Sequence, residues 1–505
     1  MKTKDFKVRG DYIRGHFRYI ERPTTQLKDT SPGDLSDMIG VFPVLHAHVE
    51  EAIQAASEAY LPWASLDMEE RKKYLLRLRE LFVAHEAQMA ELIARDTGKP
   101  LWDAASEAKN LANKIDITIS HSLNLVKEER FPNATPQVDG VIRHKPRGVM
   151  AVLGPFNFPA HLPNGHIVPA LLMGNTIVYK PSEQTPAVGQ FYAELFDKAQ
   201  FPPGVFNMVQ GDAESGRKIV ADEKVDGILF TGSYEVGLKI KQETLTHYWK
   251  ILALEMGGKN ATVVWEDADF SKALYETLVG AYMSSGQRCS CTSRIILHEK
   301  IADKFTEQFY QAAKKLSIGH WSENHFMGPL INADAVEKYV RFQEIANREN
   351  CESLMRGKSL DLKQKGYYVT PSIHIVNKFD PKSIYQKSEI FGPNVAIYTV
   401  KDYDEALKIV NSTGYGLVMS LFSKNEALYK KALLEARVGL LNFNRTTNGA
   451  SSKLPFGGMG KSGNDRPSAH YAIQYCSVPV ASLEDPTGFD GTKAFPGMNL
   501  DWSNW

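Results

Sequence analysis

"VMAVLGPFNFPAHLPNGHIVPALLMGNTIVYK", residues 149–180, contains two short apolar runs separated by a longer apolar segment. The runs at 149–153 and 175–179 have the length and β-branched content of buried strands, and 165–173 is predicted to be a helix. Strands that are apolar on both faces are typical of a parallel sheet covered by helices. This stretch therefore predicts a strand–helix–strand unit of an α/β fold.

The same alternation extends to both sides of that unit. Residues 46–125 are predicted to be helical, with Asp67 as the N-cap of one helix and Glu70 three residues later. Further strands are expected at 205–209, 227–230, 251–254, 261–264 and 294–298, and further helices at 185–199, 214–221, 236–245, 270–285 and 300–316. The alternation continues to about residue 440 and favours two α/β halves, each built on a doubly wound parallel sheet.

Length and charge exclude several classes of protein. The chain has 505 residues, is 43% hydrophobic and 23% charged, and has a formal net charge of zero. This length predicts two or three domains. A neutral chain without a long Lys/Arg run has no general attraction for nucleic acid or anionic membranes, so neither is expected as a partner. The first residues lack the apolar segment of a secretory signal and no apolar run has the length of a membrane span, so a cytoplasmic location is expected.

Two of the four cysteines lie two positions apart in "YMSSGQRCSCTSR", residues 282–294. Cys289 and Cys291 are too close in sequence for a disulfide of ordinary geometry. The remaining ligands of a zinc site are missing, so no metal is expected. A free thiol can attack a carbonyl carbon, whereas a buried cysteine is usually inert. Spacing alone does not choose between these roles or between the two residues.

Two other side chains have the chemistry that a thiol-based reaction needs. Glu255 follows an apolar strand and precedes two glycines, so it could act as a general base, cap a helix or face solvent. Asn157, in the turn "LGPFNFP", could donate an amide N–H to an oxyanion or bond its own backbone. The residues alone leave these alternatives open.

Several strand ends carry groups suited to a dinucleotide. Lys180 and Glu183 follow the strand "TIVYK", and "TGSYEVG", residues 231–237, lies between another strand and a helix. Open α/β sheets bind ligands at the carboxyl ends of their strands, and a helix N-terminus favours phosphate. The turn lacks a G-x-G-x-x-G pattern and could also be an ordinary tight turn. A carboxylate at Glu183 would bond ribose hydroxyls and repel a 2′-phosphate, which favours NAD over NADP.

Together these segments resemble the aldehyde dehydrogenase superfamily. The family's motifs occur in their usual order: "GPFNFP", "KPSEQTP", "FTGSYEVG", "LEMGGKN", "GQRC", "EIFGP" and "LPFGGMGKSG". The resemblance implies the α/β aldehyde dehydrogenase fold in three parts. These are a Rossmann-like NAD domain (8–125 plus 149–256), an α/β catalytic domain (257–467) and a small β oligomerisation arm (126–148 plus 468–485). It also implies an NAD-dependent enzyme that takes a small aldehyde and forms a homodimer or a dimer of dimers.

The resemblance assigns a role to each matching position. The thiol directly after Gly-Gln-x is Cys289, so Cys289 is the expected nucleophile and Cys291 is not. Glu255 is the expected base, and Asn157 with the Cys289 main-chain N–H are the expected oxyanion donors. The expected cofactor contacts are Lys180, Glu183, Gly232, Ser233, Gly237, Glu389 and Phe391. Many relatives have Trp where this chain has Phe156.

Longer motifs, such as "TGKPLWDAASE" and "GKSGNDRPSAHYAIQYC", are similar to one branch of the family that acts in arginine degradation. This similarity implies N-succinylglutamate 5-semialdehyde as the substrate, oxidised through a cysteine thiohemiacetal and thioester. Another aldehyde, acyl transfer to coenzyme A and a non-catalytic role are the alternatives. A substrate with several carboxylates is expected to meet cations or main-chain N–H groups. The candidate contacts, each of which also fits a structural or solvated role, are Arg288, Lys453, Ser451 and His161.

Overall fold

Two seven-stranded sheets form the framework of the protein. The structure, a computed structural model, describes residues 6–486 and 497–498. Residues 1–5, 487–496 and 499–505 lie outside the described residues, and they include most of the C-terminal segment whose role the sequence leaves open.

The first sheet contains, in spatial order, β11 (Ile251–Glu255), β10 (Val225–Thr231), β7 (Val149–Leu153), β8 (Thr176–Lys180), β9 (Phe206–Met208), β1 (Asp11–Ile13) and β2 (His16–Arg18). Strands β7 to β11 are parallel, and β1 and β2 add an antiparallel edge. The chain runs from β7 through β8 to β9 and then returns to β10 on the other side of β7. The topological switch point therefore lies between β7 and β10.

The second sheet contains, in spatial order, β14 (Glu352–Met355), β15 (Ser372–Ile375), β16 (Asn394–Val400), β13 (Thr292–His298), β12 (Asn260–Val264), β18 (Val418–Phe422) and β19 (Leu440–Phe443). Its neighbouring strands are parallel except for the pair β14–β15. The chain passes directly from β11 of the first sheet to β12 of the second.

Smaller sheets complete the strands. An antiparallel three-stranded sheet contains β23 (Ser477–Glu484), β6 (Val138–Pro146) and β5 (Glu129–Thr135). Two-stranded sheets pair β3 (Thr25–Thr30) with β4 (Met38–Val44), β17 (Tyr415–Gly416) with β21 (Met459–Gly460), and β20 (Pro455–Phe456) with β22 (Ser468–Ala469). The three-stranded sheet joins the two segments of the predicted arm, whose boundaries and role in oligomerisation stay predictions.

The helices cover the sheets. Those of the described residues are α1 (Ala47–Ala64), α2 (Met68–Ala84), α3 (Glu86–Thr97), α4 (Leu101–Ser120), α5 (His161–Leu172), α6 (Pro186–Ala199), α7 (Ala213–Ala221), α8 (Tyr234–Glu243), α9 (Phe270–Tyr282), α10 (Glu299–Ala313), α11 (Ala333–Arg348), α12 (Ile384–Lys387), α13 (Tyr403–Val410), α14 (Glu426–Glu435) and α15 (Ala472–Tyr475). None of the helices formed by residues 6–486 is both long and apolar enough to span a bilayer.

Both faces of the first sheet are buried, as the apolar strands predict. Met150 and Val152 of β7 pack into the apolar cluster that contains α2 to α6. Val149 and Ala151 point the other way, into the cluster that contains α1 and α7. Successive side chains of a strand alternate between the faces, so a strand covered on both sides has to be apolar throughout. The predicted doubly wound α/β fold is confirmed.

Local predictions were partly right. The Asp67 side chain accepts a hydrogen bond from the Glu70 main-chain N–H, which confirms the N-cap of α2. The helix predicted at 165–173 was wrong at its start, because α5 begins at His161. The Glu107 carboxylate, on another helix, accepts the main-chain N–H groups of Ala160 and His161 and so caps this earlier start. No local pattern could indicate such a remote cap.

The helix predicted at 270–285 was wrong at its end, because α9 stops at Tyr282. Ser284 and Ser285, in the 3₁₀ turn Met283–Gly286, have φ angles of 53° and 56°. These left-handed values are unusual for residues other than glycine and interrupt the right-handed helix. The helix therefore cannot continue into residues 287–291, which carry Cys289.

Candidate active site

A cavity of about 920 Å³ opens at the carboxyl ends of the first sheet. It lies at the switch point between β7 and β10, where open α/β sheets bind ligands. The predicted catalytic and cofactor residues that line it are Asn157, Lys180, Glu183, Gly232, Ser233, Glu255, Cys289, Glu389 and Phe391. The structure thus places nine of the ten predicted catalytic and cofactor residues around one cavity.

Gly237 is the exception, since it does not line this cavity. It lies inside α8, where a Cβ atom would approach the sulfur of Met256 to 2.1 Å. The missing side chain therefore lets α8 pack closely against Met256, beside the carboxyl end of β11. Gly237 contributes to the site through this packing, and a direct cofactor contact stays a prediction.

The loop that carries Cys289 is fixed by side chains from distant parts of the chain. The Ser284 hydroxyl donates to Asp103 Oδ2 at 2.5 Å, and the Ser285 hydroxyl donates to the Gly328 carbonyl at 2.8 Å. Asn260, at the start of β12, donates to the carbonyl oxygen of Cys289 at 2.7 Å. Strained backbone persists only where its surroundings hold it, and it is frequent at functional sites.

The two cysteines occupy different environments. Cys289 is partly exposed and lines the large cavity, whereas Cys291 is buried and does not line it. The Cys291 sulfur lies 3.8 Å from the Met283 carbonyl oxygen and 3.9 Å from the Asn448 amide nitrogen. Of the pair that spacing alone could not separate, only Cys289 can meet a molecule bound in this cavity.

Asn157 lies in the turn that follows β7, and its side chain faces the Cys289 loop. Its amide nitrogen donates to the Gln287 carbonyl at 3.0 Å. One amide hydrogen remains after this bond, since an amide nitrogen carries two. Gln287 is held in turn by the Ile331 main-chain N–H, which donates to Gln287 Oε1 at 3.0 Å. The bond therefore fixes which end of the Asn157 amide points toward Cys289.

Glu255 is the last residue of β11, and its side chain is buried at the cavity wall. Neither carboxylate oxygen has a hydrogen-bond partner among the described residues. The pKa of Glu255 is raised to about 7, chiefly by burial and also by the Glu389 charge, whereas the nearby Cys289 thiol acts to lower it. Burial and the Glu255 charge raise the pKa of Cys289 well above its ordinary value. At neutral pH the carboxylate can therefore exchange a proton, whereas the thiol stays largely neutral until a base removes its proton.

The cavity fits a nicotinamide dinucleotide. The N-terminus of α8 faces it through Gly232 and Ser233, and Ser233 caps the helix by accepting from the Val236 N–H at 3.3 Å. This terminus suits a pyrophosphate.

The Lys180 ammonium donates to the Gly211 carbonyl at 2.8 Å and lies 3.3 Å from Glu183 Oε2. Glu183 is about half exposed, so its carboxylate is available to ribose hydroxyls.

Glu389 and Phe391 also line the cavity. The Gly258 main-chain N–H donates to Glu389 Oε1 at 2.8 Å, and burial raises the pKa of Glu389 to about 7. Gly257 has φ 73°, and a Cβ atom there would lie 2.4 Å from a Glu389 oxygen. Phe391 packs edge-on against Phe156, with ring centroids 5.8 Å apart. The aromatic ring at 156 thus supports the wall of the cavity through packing.

The model of the aldehyde dehydrogenase family matches residues 19–479. The chain belongs to the aldehyde dehydrogenase family. This confirms the predicted resemblance, and the chain is an aldehyde dehydrogenase with a nicotinamide cofactor.

Individual proteins agree with this assignment. The chain is 37% identical to an N-succinylglutamate 5-semialdehyde dehydrogenase of Legionella pneumophila, over 99% of this chain and 100% of that protein. It is 40% identical to a protein of the same name from Shigella flexneri, over 90% of this chain and 92% of that protein. A solved 1-pyrroline-5-carboxylate dehydrogenase from Thermus with bound NAD superposes with a TM-score of 0.88 at 30% identity, covering 95% of this chain and 93% of that one.

The four predicted substrate contacts of this aldehyde dehydrogenase lie outside the large cavity, since none of them lines it. Arg288 is paired with buried Asp103 at 2.6 Å. Burial lowers the pKa of His161 to about 4, so its ring is uncharged near neutral pH. Lys453 and Ser451 are exposed on the loop before β20. Their roles stay predictions, and Arg288 is already neutralised by a carboxylate of the protein.

Sequence reasoning missed several residues that shape the site. Lys99, Asp103 and Glu107 are buried and contact the loops of Asn157 and Cys289. Their spacing of four residues in "TGKPLWDAASE" was a usable signal, since it places three charges on one side of a helix start. The cations Arg217, Lys239 and Lys338 also line the cavity and carry no local motif.

The buried carboxyl group of Glu255 gives a stability prediction. Its folded-state pKa of about 7 exceeds the ordinary value of 4.5. The protonated form therefore stabilises the fold below pH 4.5, and this contribution is lost as the pH rises through 7. Glu255→Gln removes the charge, so we expect it to raise the free energy of unfolding at pH 8 by up to about 3 kcal/mol, but not at pH 4.5.

Thermal unfolding at pH 8 and pH 4.5 measures this difference. The exposed Glu80→Gln is the matched control and should leave the midpoint temperature unchanged at both pH values. A Glu255→Gln protein that is no more stable than the parent at pH 8 would contradict the prediction.

Proposed function

We propose that this aldehyde dehydrogenase oxidises N-succinylglutamate 5-semialdehyde to N-succinylglutamate, with NAD as the hydride acceptor. The main support is the position of Cys289, Glu255 and Asn157 around one end of a cavity that reaches the N-terminus of α8. Two relatives with this activity in their names are 37% and 40% identical over at least 90% of the chain, which supports the choice of substrate. Another aldehyde or semialdehyde remains the alternative.

Cys289 is the proposed nucleophile. Its thiol proton passes to the Glu255 carboxylate, whose pKa of about 7 suits a base near neutral pH. The sulfur then bonds to the aldehyde carbon, and the carbonyl oxygen becomes an oxyanion. The remaining N–H of the Asn157 amide and the main-chain N–H of Cys289 donate to that oxygen. Because Asn157 already donates to the Gln287 carbonyl, its amide needs no reorientation when the charge develops.

Glu255 is the proposed base for hydrolysis. When bound, the nicotinamide cofactor supplies the hydride acceptor that turns the thiohemiacetal into a thioester. Glu255 releases the thiol proton to solvent and, as a carboxylate again, takes a proton from water, and the resulting hydroxide adds to the thioester carbon. The carbon–sulfur bond breaks, the product leaves as a carboxylate, and Cys289 regains a proton. Both carboxylate oxygens of Glu255 lack partners among the described residues, so they are available to a thiol or a water molecule.

We further propose that the enzyme forms a homodimer or a dimer of dimers. Strand β5 forms one edge of the three-stranded sheet and is exposed along all seven residues. An exposed edge strand presents unpaired main-chain groups, which suit pairing with a second chain.

The assignment of the nucleophile is tested by paired substitutions. Cys289→Ala should lower the rate of NADH formation by at least about 10³-fold, because it removes the atom that bonds to the substrate. Cys291→Ala should retain activity within about threefold, since that sulfur does not line the cavity. NADH absorbance measures the rate, and circular dichroism checks the fold. Equal losses in the two folded variants would contradict the assignment.

The substrate is tested by comparing aldehydes. We expect kcat/KM for N-succinylglutamate 5-semialdehyde to exceed that for propanal by at least about 100-fold, because polar groups that contact the carboxylates add transition-state binding. Steady-state rates with both aldehydes and NAD give the ratio. Similar values would leave a general aldehyde dehydrogenase as the better description.

The choice of NAD is tested at Glu183. Removing this carboxylate removes the repulsion of a 2′-phosphate and frees Lys180, which lies 3.3 Å away, to pair with it. Glu183→Ala should therefore raise the ratio of kcat/KM for NADP to that for NAD by at least about tenfold. The exposed Glu80→Ala is the control. An unchanged ratio in Glu183→Ala would show that Glu183 does not select the cofactor.

A further inference from the structure

Three charged side chains are buried where α4 begins. Lys99, Asp103 and Glu107 are four residues apart and are 5%, 1% and 1% exposed. Buried charges are costly unless they are paired and hydrogen-bonded. Lys99 pairs with Glu107 and Asp103 pairs with Arg288, and their other hydrogen-bond partners lie on the two loops that carry Asn157 and Cys289.

Lys99 and Glu107 hold the Asn157 loop. The Lys99 ammonium donates to Glu107 Oε2 at 2.6 Å and to the Asn157 main-chain carbonyl at 2.8 Å. The other oxygen of Glu107 accepts the main-chain N–H groups of Ala160 and His161 at 3.0 and 3.1 Å. One buried ion pair therefore fixes the main chain of this loop at Asn157 and again at the start of α5.

Asp103 holds the Cys289 loop from the same helix. It accepts from the Ser284 hydroxyl and from the Arg288 guanidinium, at 2.5 and 2.6 Å. Arg288 and Lys99 also lie over the ring of Phe158, at 4.9 and 4.0 Å from its centroid. Both loops are thus attached to the start of α4, and the ring of Phe158 contacts the cations of both Arg288 and Lys99.

We propose that Lys99 and Glu107 are positioning residues for the Asn157 amide. They fix the main chain of Asn157 relative to the Cys289 loop, which the same helix holds through Asp103. The proposal rests on the proposed function, since it needs Asn157 to act as an oxyanion donor. A displacement of about 1 Å in a reacting group can cost about a hundredfold in rate, so the anchor of this loop controls catalysis without touching the substrate.

A double-mutant cycle separates positioning from simple stabilisation. We expect Lys99→Met to lower kcat about tenfold to a hundredfold in the parent enzyme, with KM for NAD changed by less than about twofold. In an Asn157→Ala background the same substitution should lower kcat by less than about threefold, because the amide that it misplaces is already gone.

Lys250→Met is the matched control. Lys250 is also a buried lysine, and its ammonium donates to the Val220 and Asp222 carbonyls at 2.9 and 2.6 Å. This control substitutes the same residue type at the opposite, amino end of β11. It should leave kcat within about twofold in both backgrounds, which measures the effect of losing a buried lysine alone.

Glu107→Gln provides a second variant if Lys99→Met does not fold. A glutamine oxygen can still accept the N–H groups of Ala160 and His161, whereas the charge that pairs with Lys99 is lost. We expect a smaller but equally non-additive loss of kcat, about threefold to tenfold in the parent and less than twofold with Asn157→Ala.

The outcomes are distinct. Equal fold losses in the two backgrounds would overturn the positioning role while leaving the proposed function intact. An Asn157→Ala enzyme with unchanged kcat would overturn the proposed oxyanion role, and the positioning inference with it. A loss confined to KM for NAD would also overturn the inference, because Asn157 is assigned to the aldehyde oxygen.

Discussion

A four-residue connection, residues 256–259, joins the two large sheets and sets the geometry of the site. It begins after Glu255, the last residue of β11, and ends before Asn260, the first residue of β12. Asn260 holds the Cys289 carbonyl at 2.7 Å, and the Gly258 N–H holds Glu389 at 2.8 Å. Because the segment is so short, the carboxylate that ends one sheet must lie close to the loop anchored at the start of the other.

The electrostatics of the site follow from this closeness and from burial. The pKa values of Glu255 and Glu389 are both raised to about 7, chiefly by burial, and the pKa of Cys289 is raised as well. Because these three acidic groups lie near one another and are largely removed from water, their neutral, protonated forms are favoured. Ionising any of them lowers the stability of the fold. Such costs are typical of sites whose groups must exchange protons near neutral pH. The raised pKa values of these groups are therefore better explained by proton transfer during the reaction than by stabilisation of the fold.

The sequence predicted most of the strands well, because a short apolar run is a local feature, and the family motifs pointed to the residues that line the cavity. Apolar runs locate β7, β8 and β10, and Lys180 and Gly232 lie at the carboxyl ends of β8 and β10. It could not choose between Cys289 and Cys291 without the family motif, because the choice depends on which sulfur lines the cavity. It also missed the start of α5, since the cap from Glu107 crosses more than fifty positions of sequence. Ion pairs and hydrogen bonds between residues far apart in sequence are difficult to recognise from a local sequence pattern.

The same remote pairs limit how a substrate with several carboxylates can be recognised. Arg288 is the predicted contact closest in sequence to Cys289, but its guanidinium already bonds Asp103 and Ser284. The charge of a buried pair is balanced, so an added carboxylate gains little net attraction there. Breaking the pair would also leave the buried Asp103 carboxylate without its cation. An exposed cation such as Lys453, unpaired among the described residues, would lose less on binding a carboxylate than Arg288, whose bonds to Asp103 and Ser284 hold it against the turn before Cys289.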